Sequence, residues 1–329
     1  MKKVKRMVCY ENVLIVMLTG LLVLFSVGSV VKADDFPNKP INLIIHMSPG
    51  GPTDQMVRML TPTMEKVLNT PIVIQYKLGG GGTIAYLAVS KEKPDGYTVG
   101  SYAASFFTQQ YVKTGGAKMA TLDFAGNFAE VDNCLAVLST SPFKNLVELL
   151  DFSKKNPGMV TIANSGTGAS MHLPAAAIEK EAGVKFTHVP TNGESAALMA
   201  MLGGHVTAAS LSIGGLTEYF KAGKVRALTI NTEKRVPDFP DVPTSKEQGI
   251  NFVYQNPVGL FGPKGIPENR LKILSDAVAA GFKSEQFQKF MKTVGYRPVN
   301  LDYKQTAEMA RAYDAKIRDL CKLVGLYQE

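Results

Sequence analysis

Ser48-Pro49-Gly50-Gly51-Pro52-Thr53-Asp54 stands between an apolar run, residues 41–47, and a segment from Gln55 onward in which Met56, Val57, Leu60, Met64, Val67 and Leu68 recur at helical spacing. A strand that ends in glycines, followed by a Thr/Asp cap and a helix, gathers several unpaired backbone N–H groups around one small space. Such a space suits an anion. Residues 72–76 lead in the same way into Gly79-Gly80-Gly81-Gly82-Thr83, and residues 160–163 into Ser165-Gly166-Thr167-Gly168-Ala169-Ser170. Three copies of one device imply a protein that closes around a small carboxylate.

Outward from these loops the chain alternates short apolar runs with longer helical ones. Strands are expected at 41–47, 72–76 and 97–101, with helices from Gln55, where Pro62 should kink or split the segment, and over 83–91. This is βαβαβ, the pattern of a parallel sheet covered by helices. Periodicity weakens between Phe106 and Asn133, although 131–138 reads as a strand. A second α/β run follows, with strands at 160–163, 184–189, 206–211 and 225–231 and helices at 146–155, 172–182, 194–202 and 216–222, read as a second parallel sheet. The proline-rich loop 235–243 belongs at the surface, and 257–262 reads as a strand. Three helices, 268–282, 285–294 and 303–324, have no sheet of their own and are expected to pack back on the first unit. The chain then crosses twice between two units, near 129–139 and 252–260, which makes a hinge.

With 329 residues, 45% of them hydrophobic and only 19% charged, the chain can bury a core in each of two units. The net charge of +8 is less suggestive than it looks. Lys2, Lys3, Lys5, Arg6 and Lys32 face only Glu11 in the first 33 residues, so half of the excess belongs to that segment. Elsewhere basic residues are scattered and tryptophan is absent, which argues against nucleic acid as a partner. Residues 1–33 read as an export signal: a basic start, an apolar stretch over 13–31, and Val31-Lys32-Ala33 as a cleavage site. Because the apolar stretch is nearly long enough to span a membrane, an uncleaved N-terminal anchor is the competing reading. Cys9 precedes the apolar stretch, the wrong place for a lipid-modified cysteine; Cys134 and Cys321 either pair or stay as buried thiols.

Taken in order, Phe36-Pro37-Asn38-Lys39-Pro40-Ile41, Pro49-Gly50-Gly51-Pro52-Thr53-Asp54, Gly81-Gly82-Thr83 and Lys93-Pro94-Asp95-Gly96-Tyr97-Thr98 form one set of motifs. Asn164-Ser165-Gly166-Thr167-Gly168 with His172-Leu173, then His188-Val189-Pro190, Gly193 and Leu202-Gly203-Gly204 continue it. Gly223-Lys224-Val225-Arg226-Ala227-Leu228, Asp241-Val242-Pro243-Thr244 and Gly259-Leu260-Phe261 complete it. The ordered set resembles the Bug (TctC) family, the solute-receptor subunits of tripartite tricarboxylate transporters. The resemblance implies an α/β, two-lobe periplasmic-binding-protein-like fold of type II, each lobe a sheet flanked by helices, joined by a two-crossing hinge. The expected division is 34–135 with 256–329 as lobe 1 and 136–255 as lobe 2.

In such receptors the ligand lies between the lobes, its carboxylate on backbone N–H groups of the first two strand-to-helix loops. Carried over, these are Ser48, Gly50, Gly51 and Thr53, and Gly81, Gly82 and Thr83. Glycine lets the backbone approach closely, and a helix N-terminus favours negative charge without any lysine. Asp54 either caps its helix or faces a ligand ammonium or hydroxyl. From lobe 2, Ser165, Thr167, Ser170, Thr191, Gly193 and Ser195 match cleft-facing positions, and ordinary helix capping is their alternative. His172 either contacts ligand or packs at its helix start, and Ser105 and Ser212 join the candidate set.

The chain departs from the family around His46 and Met47, at Thr191 and at Leu211, where it lacks two aromatic walls and one acid. That favours a simple or dicarboxylic acid over an amino acid, within an expected ligand class of di- or tricarboxylates and acidic amino acids. None of the four histidines has metal-ligand spacing, and no cofactor is called for. There is no G-x-S-x-G elbow, Walker loop or complete G-x-G-x-x-G, so a secreted hydrolase is the weaker alternative to a receptor. The expectation is a monomeric, extracytoplasmic solute receptor, not an enzyme, that passes a carboxylate to integral-membrane permease subunits. A sensory ligand-binding protein signalling through a membrane partner is the other reading.

Overall fold

Ile41, Leu43, Ile44 and Ile45 are buried in β1 (Ile41–Ile45), the centre of the first βαβ unit. The computed structural model describes residues 35–112, 116–254, 256–294 and 296–328, so the export signal expected over 1–33 lies outside the described residues. Helix α1 (Pro52–Leu68) buries Met56, Val57, Leu60, Met64 and Leu68, whereas Val67, counted in the same stripe, is exposed. It starts at Pro52 and not at Gln55, because proline at a first helical position has the right φ and gives up an N–H that needs no partner. Nor does Pro62 split it; the assignment is continuous to Leu68, where Asn69 turns into the left-handed region (φ 47°) and closes the end.

The first unit continues with β2 (Ile72–Tyr76), α2 (Thr83–Ser90), β3 (Thr98–Tyr102) and α3 (Ala104–Val112). After it come β4 (Leu122–Glu130) and β5 (Asn133–Leu138). Sequence periodicity passes over α3 and β4 for one reason. Residues 104–110 of α3 are buried all round, and β4 is covered by helices that pack against it, so neither has a polar face to alternate with. The second run is α4 (Leu146–Lys155), β6 (Thr161–Asn164), α5 (His172–Ala182), β7 (Thr187–Pro190), α6 (Glu194–Leu202), β8 (Ala208–Ser212), α7 (Thr217–Lys221) and β9 (Val225–Ile230). The chain ends with β10 (Pro257–Pro263), α8 (Glu268–Lys283), α9 (Glu285–Val294), β11 (Arg297–Leu301) and α10 (Tyr303–Leu323).

Two sheets result, ordered β11-β4-β10-β3-β1-β2 and β7-β6-β8-β5-β9, within one unit spanning Pro37–Glu329. The β2-β1-β3 core is parallel as expected. The second sheet is not: β5 runs antiparallel to both β8 and β9, while β6 is parallel to β7 and β8. Its counterpart β10 is antiparallel to β3 and β4. Each of these strands arrives directly from the other sheet, without the helical crossover that a parallel neighbour requires. Unexpectedly, the C-terminal segment is not all helical, since β11 adds an antiparallel edge to β4; Pro298 is tolerated there because an edge strand needs only one set of hydrogen bonds.

The crossings lie side by side. Val131 N–H donates to Asn256 O (2.9 Å), Asn256 Oδ1 accepts from Ala104 N–H (2.9 Å), and Tyr254 N–H donates to Asn231 O (2.7 Å). Arg297 pairs with Glu130 and with the buried Asp132 on the same segment. An aromatic cluster of Tyr86, Tyr102, Phe106, Phe107, Phe124, Phe261 and Tyr313, mostly edge-to-face, fills the first sheet's helical face. Cys134 and Cys321 are buried free thiols. Among the described residues no helix is long and apolar enough to cross a membrane.

Candidate functional site

In parallel α/β sheets, ligands sit beyond the carboxyl ends of the strands. Here those ends carry the loops after β1, β2 and β3 in one sheet and after β6, β7 and β8 in the other. The candidate residues lie on these loops and on the helix starts beyond them.

In the first loop Asp54 is buried and fully engaged. Its Oδ2 accepts from Gly50 N–H (2.7 Å), and its Oδ1 accepts from the Tyr76 hydroxyl (2.6 Å) and Arg58 Nε (3.0 Å). Burial and the hydrogen bond to Asp54 push the Tyr76 hydroxyl pKa up. Gly51 N–H donates to Ser48 O (3.1 Å). In the second loop Gly79, Gly80, Gly81 and Gly82 all have positive φ. Gly82 N–H donates to Gly79 O (3.1 Å), and Thr83 gives both its N–H and its hydroxyl to Gly80 O. Of the seven residues expected to receive a carboxylate, Gly50, Gly51, Gly82 and Thr83 therefore use their amides to close the loops' own turns, and the Ser48 carbonyl accepts one of these bonds. Gly81 is left, together with the first-turn amide of Thr53, which has no intrahelical partner.

Glycine is required at 81 and 82 by what lies above them. A Cβ at Gly82 would fall 2.7 Å from the Tyr86 ring, and one at Gly81 would fall 2.7 Å from Gln109 Nε2. Ser105 is buried beneath, its Oγ 2.9 Å from the Tyr86 hydroxyl. Beside Tyr86 lies His46, with ring centroids 5.0 Å apart. Its Nδ1 is 2.9 Å from Ser101 Oγ, and burial lowers its pKa to about 4, so the imidazole is neutral at physiological pH.

The second sheet's loops are braced by side chains. The Thr191 hydroxyl is shared between Asn164 O (2.9 Å) and Gly193 O (2.8 Å), and Asn164 Oδ1 accepts from Gly166 N–H (3.1 Å). His172 Nδ1 accepts from Gly168 N–H (3.1 Å), which requires an unprotonated nitrogen, and burial lowers its pKa to about 4. His172 thus holds its loop at the helix start. Ser212 gives its N–H and hydroxyl to Glu194, whose pKa is raised by burial against the opposing effect of those bonds. Thr167 and Ser195 are exposed, and Ser165 and Ser170 are half-buried.

One side chain joins the two edges. Gln109, on α3, lies over Gly81 and donates from Nε2 to Gly168 O across 3.4 Å. On the strand ends, loops and helix that make up the two edges, the buried polar atoms His46 Nε2, Gln109 Oε1, Asn164 Nδ2 and Ser165 Oγ have no hydrogen-bond partner. Buried polar atoms are nearly always paired, so each of these is a place where a ligand or ordered water belongs. Sequence reading missed Gln109, Tyr86 and Asn164. The available signal was Ser105 and Gln109, polar residues at i and i+4 in a segment that also carries Phe106, Phe107 and Tyr111. A separate cavity of about 300 Å³ opens beside the crossings, lined by Asp132, Glu233, Arg235, Tyr254 and Arg297, and no candidate residue lines it.

The architecture is shared with solved periplasmic binding proteins. BugD, a periplasmic binding protein, is 28% identical and superposes with a TM-score of 0.80 over 89% of this chain and 100% of that one. MatC from Rhodopseudomonas palustris, solved with bound malate, is 26% identical with a TM-score of 0.77, covering 87% and 99%. The fold is thus the two-lobe periplasmic-binding-protein fold, with a sheet in each lobe and a two-crossing hinge. Residues 56–326 match the model for the tripartite tricarboxylate transporter family receptor, TctC. A curated relative from Cupriavidus necator, a UPF0065 protein of the gbd 5' region, is 31% identical over 309 residues, 94% of either chain. The chain belongs to the TctC receptor family.

Proposed function

We propose that the protein is an extracytoplasmic solute receptor, exported by residues 1–33, that binds a small carboxylate between lobe 1 (34–135 with 256–329) and lobe 2 (136–255). It acts as a monomer, catalyses no reaction, and hands its ligand to integral-membrane permease subunits of the tripartite tricarboxylate type. The observation that carries this reading is the set of unpartnered buried polar atoms on the carboxyl edges of the two sheets, which Gln109 and Gly168 join. The malate bound by the similar MatC supports a carboxylate as the ligand class.

In this mechanism the carboxylate lies on the amides of Gly81 and Thr53, favoured by the N-terminus of α1. Gly50, Gly51, Gly82 and Thr83 shape the loops. Ser165, with Ser170 and Thr167 nearby, receives the second polar end from lobe 2. Ligand touches both lobes only when they are closed, so it favours the closed form by its differential affinity. Closed receptor is the form that docks on the permease. The test is a thermal-shift and calorimetric screen of protein from Asp34 onward with mono-, di- and tricarboxylates and acidic amino acids. A saturable shift with an acid recovered unchanged is expected. Turnover of the acid, or no binding even after unfolding, extraction and refolding, overturns the reading.

A further inference from the structure

The four unpartnered atoms on the two edges are not equivalent. Ser165 Oγ can donate or accept, His46 Nε2 does either according to tautomer, and Asn164 Nδ2 donates. Gln109 Oε1 can only accept. Its orientation follows from its neighbour: Gly168 O is an acceptor, so the amide nitrogen faces it and the amide oxygen is the atom left without a partner. Gln109 is 2% exposed, lies over Gly81, and is tied through its amide nitrogen to Gly168 O, which orients the oxygen.

An ionised carboxylate offers only acceptors and cannot satisfy such an atom. What Gln109 Oε1 requires is an O–H or N–H supplied from within the site. Ammonium is the poorer match. The acids carried by these loops are Asp54, which already holds Gly50, Arg58 and Tyr76, and Glu194, which holds Ser212 and whose burial disfavours its charge. A buried cation facing only a neutral amide oxygen would be costly, whereas a hydroxyl would be fully matched.

Resting on the carboxylate-receptor reading and deepening it, we propose that Gln109 reads a hydroxyl on the ligand, so that the site prefers hydroxycarboxylates to their deoxy counterparts. The hydroxyl donates to Gln109 Oε1. Because Gln109 also reaches Gly168 of the second sheet's loop, the same contact links recognition to the closed arrangement.

The test is calorimetric titration of the protein from Asp34 onward with matched pairs: succinate and malate, glutarate and 2-hydroxyglutarate, tricarballylate and citrate. In at least one pair the hydroxylated acid is expected to bind about tenfold or more tightly, the usual scale for leaving a buried acceptor unpaired. In Gln109→Met that ratio should fall below about threefold, whatever loss common to both acids follows from breaking the bond to Gly168, and a cooperative melt reports that the variant is folded. If Gln109→Met does not melt cooperatively, Gln109→Asn, whose shortened amide cannot reach, is judged by the same ratio. Equal affinities within every pair, or a ratio unchanged by the substitution, overturn the inference and leave the receptor reading intact. Binding of none of the acids overturns both.

Discussion

The two carboxyl edges that meet at Gln109 are built from different materials. On the first sheet the loop at 79–82 is bare backbone, four glycines with positive φ, closed by its own turns and pressed against Tyr86 and Gln109. On the second sheet the corresponding loops are knitted by side chains: Thr191 to Asn164 and Gly193, Asn164 to Gly166, His172 to Gly168 and Ser212 to Glu194. The glycine loop of the first edge is held by steric fit, and the loops of the second, like Asp54 in the β1 loop, by hydrogen bonds. They should therefore fail differently, the first to added atoms and the second to lost acceptors or donors.

Acid should expose the largest effect, and it strikes both edges. His46 and His172 fall from 6.5 to about 4, so above the unfolded value neither state is protonated and no stability is lost. As pH drops below 6.5 the unfolded chain takes up protons that the folded chain refuses, and stability declines until about 4. The loss is expected to reach about 3 kcal/mol for each histidine. Urea denaturation at a series of pH values measures it, and His46→Asn should make the slope in that window shallower by about half; a flat profile would place both imidazoles in water.

Next in size is Gly82→Val. Its φ of +98° and the 2.7 Å approach to Tyr86 combine backbone strain with a clash, for about 2–4 kcal/mol. The melting midpoint reports this, and wild-type stability would show that the loop is free to move away from Tyr86. Asp54→Asn keeps the shape but replaces a carboxylate that accepts from three donors, at about 1–2 kcal/mol. If the Asp54→Asn variant were as stable as the parent, these donors would have found water instead. Smallest is Thr191→Val, which removes one shared hydroxyl bond on the second edge and should cost about 1 kcal/mol, whereas Thr191→Ser should cost less. If Thr191→Val cost more than Gly82→Val, the contrast between the edges would be reversed.

Much of the fold could be read without coordinates. The β2-β1-β3 parallel core, the helices after each glycine loop, the second α/β run and the two crossings follow from apolar period and from turn residues, because each is a local pattern. What escaped reading was set by neighbours distant in sequence. Helix α3 and strand β4 are enclosed on all sides and so lack an alternating face, and β5 and β10 take their antiparallel sense from the sheet they enter. The candidate site divides in the same way.

Sequence alone determined which residue types gather at the carboxyl edges: glycines able to adopt positive φ, hydroxyls beside helix starts, and an ordered motif set that marks the TctC family. Only the tertiary structure decided which of their polar groups remain open. A hydrogen bond depends on distances and angles of a few tenths of an ångström between segments far apart in the chain, and no spacing encodes it. So Asp54, Thr191 and the amides of Gly50, Gly51, Gly82 and Thr83 turn out to hold their own loops, while Gln109, in a segment of weak periodicity, stands between the two sheets with an acceptor to fill.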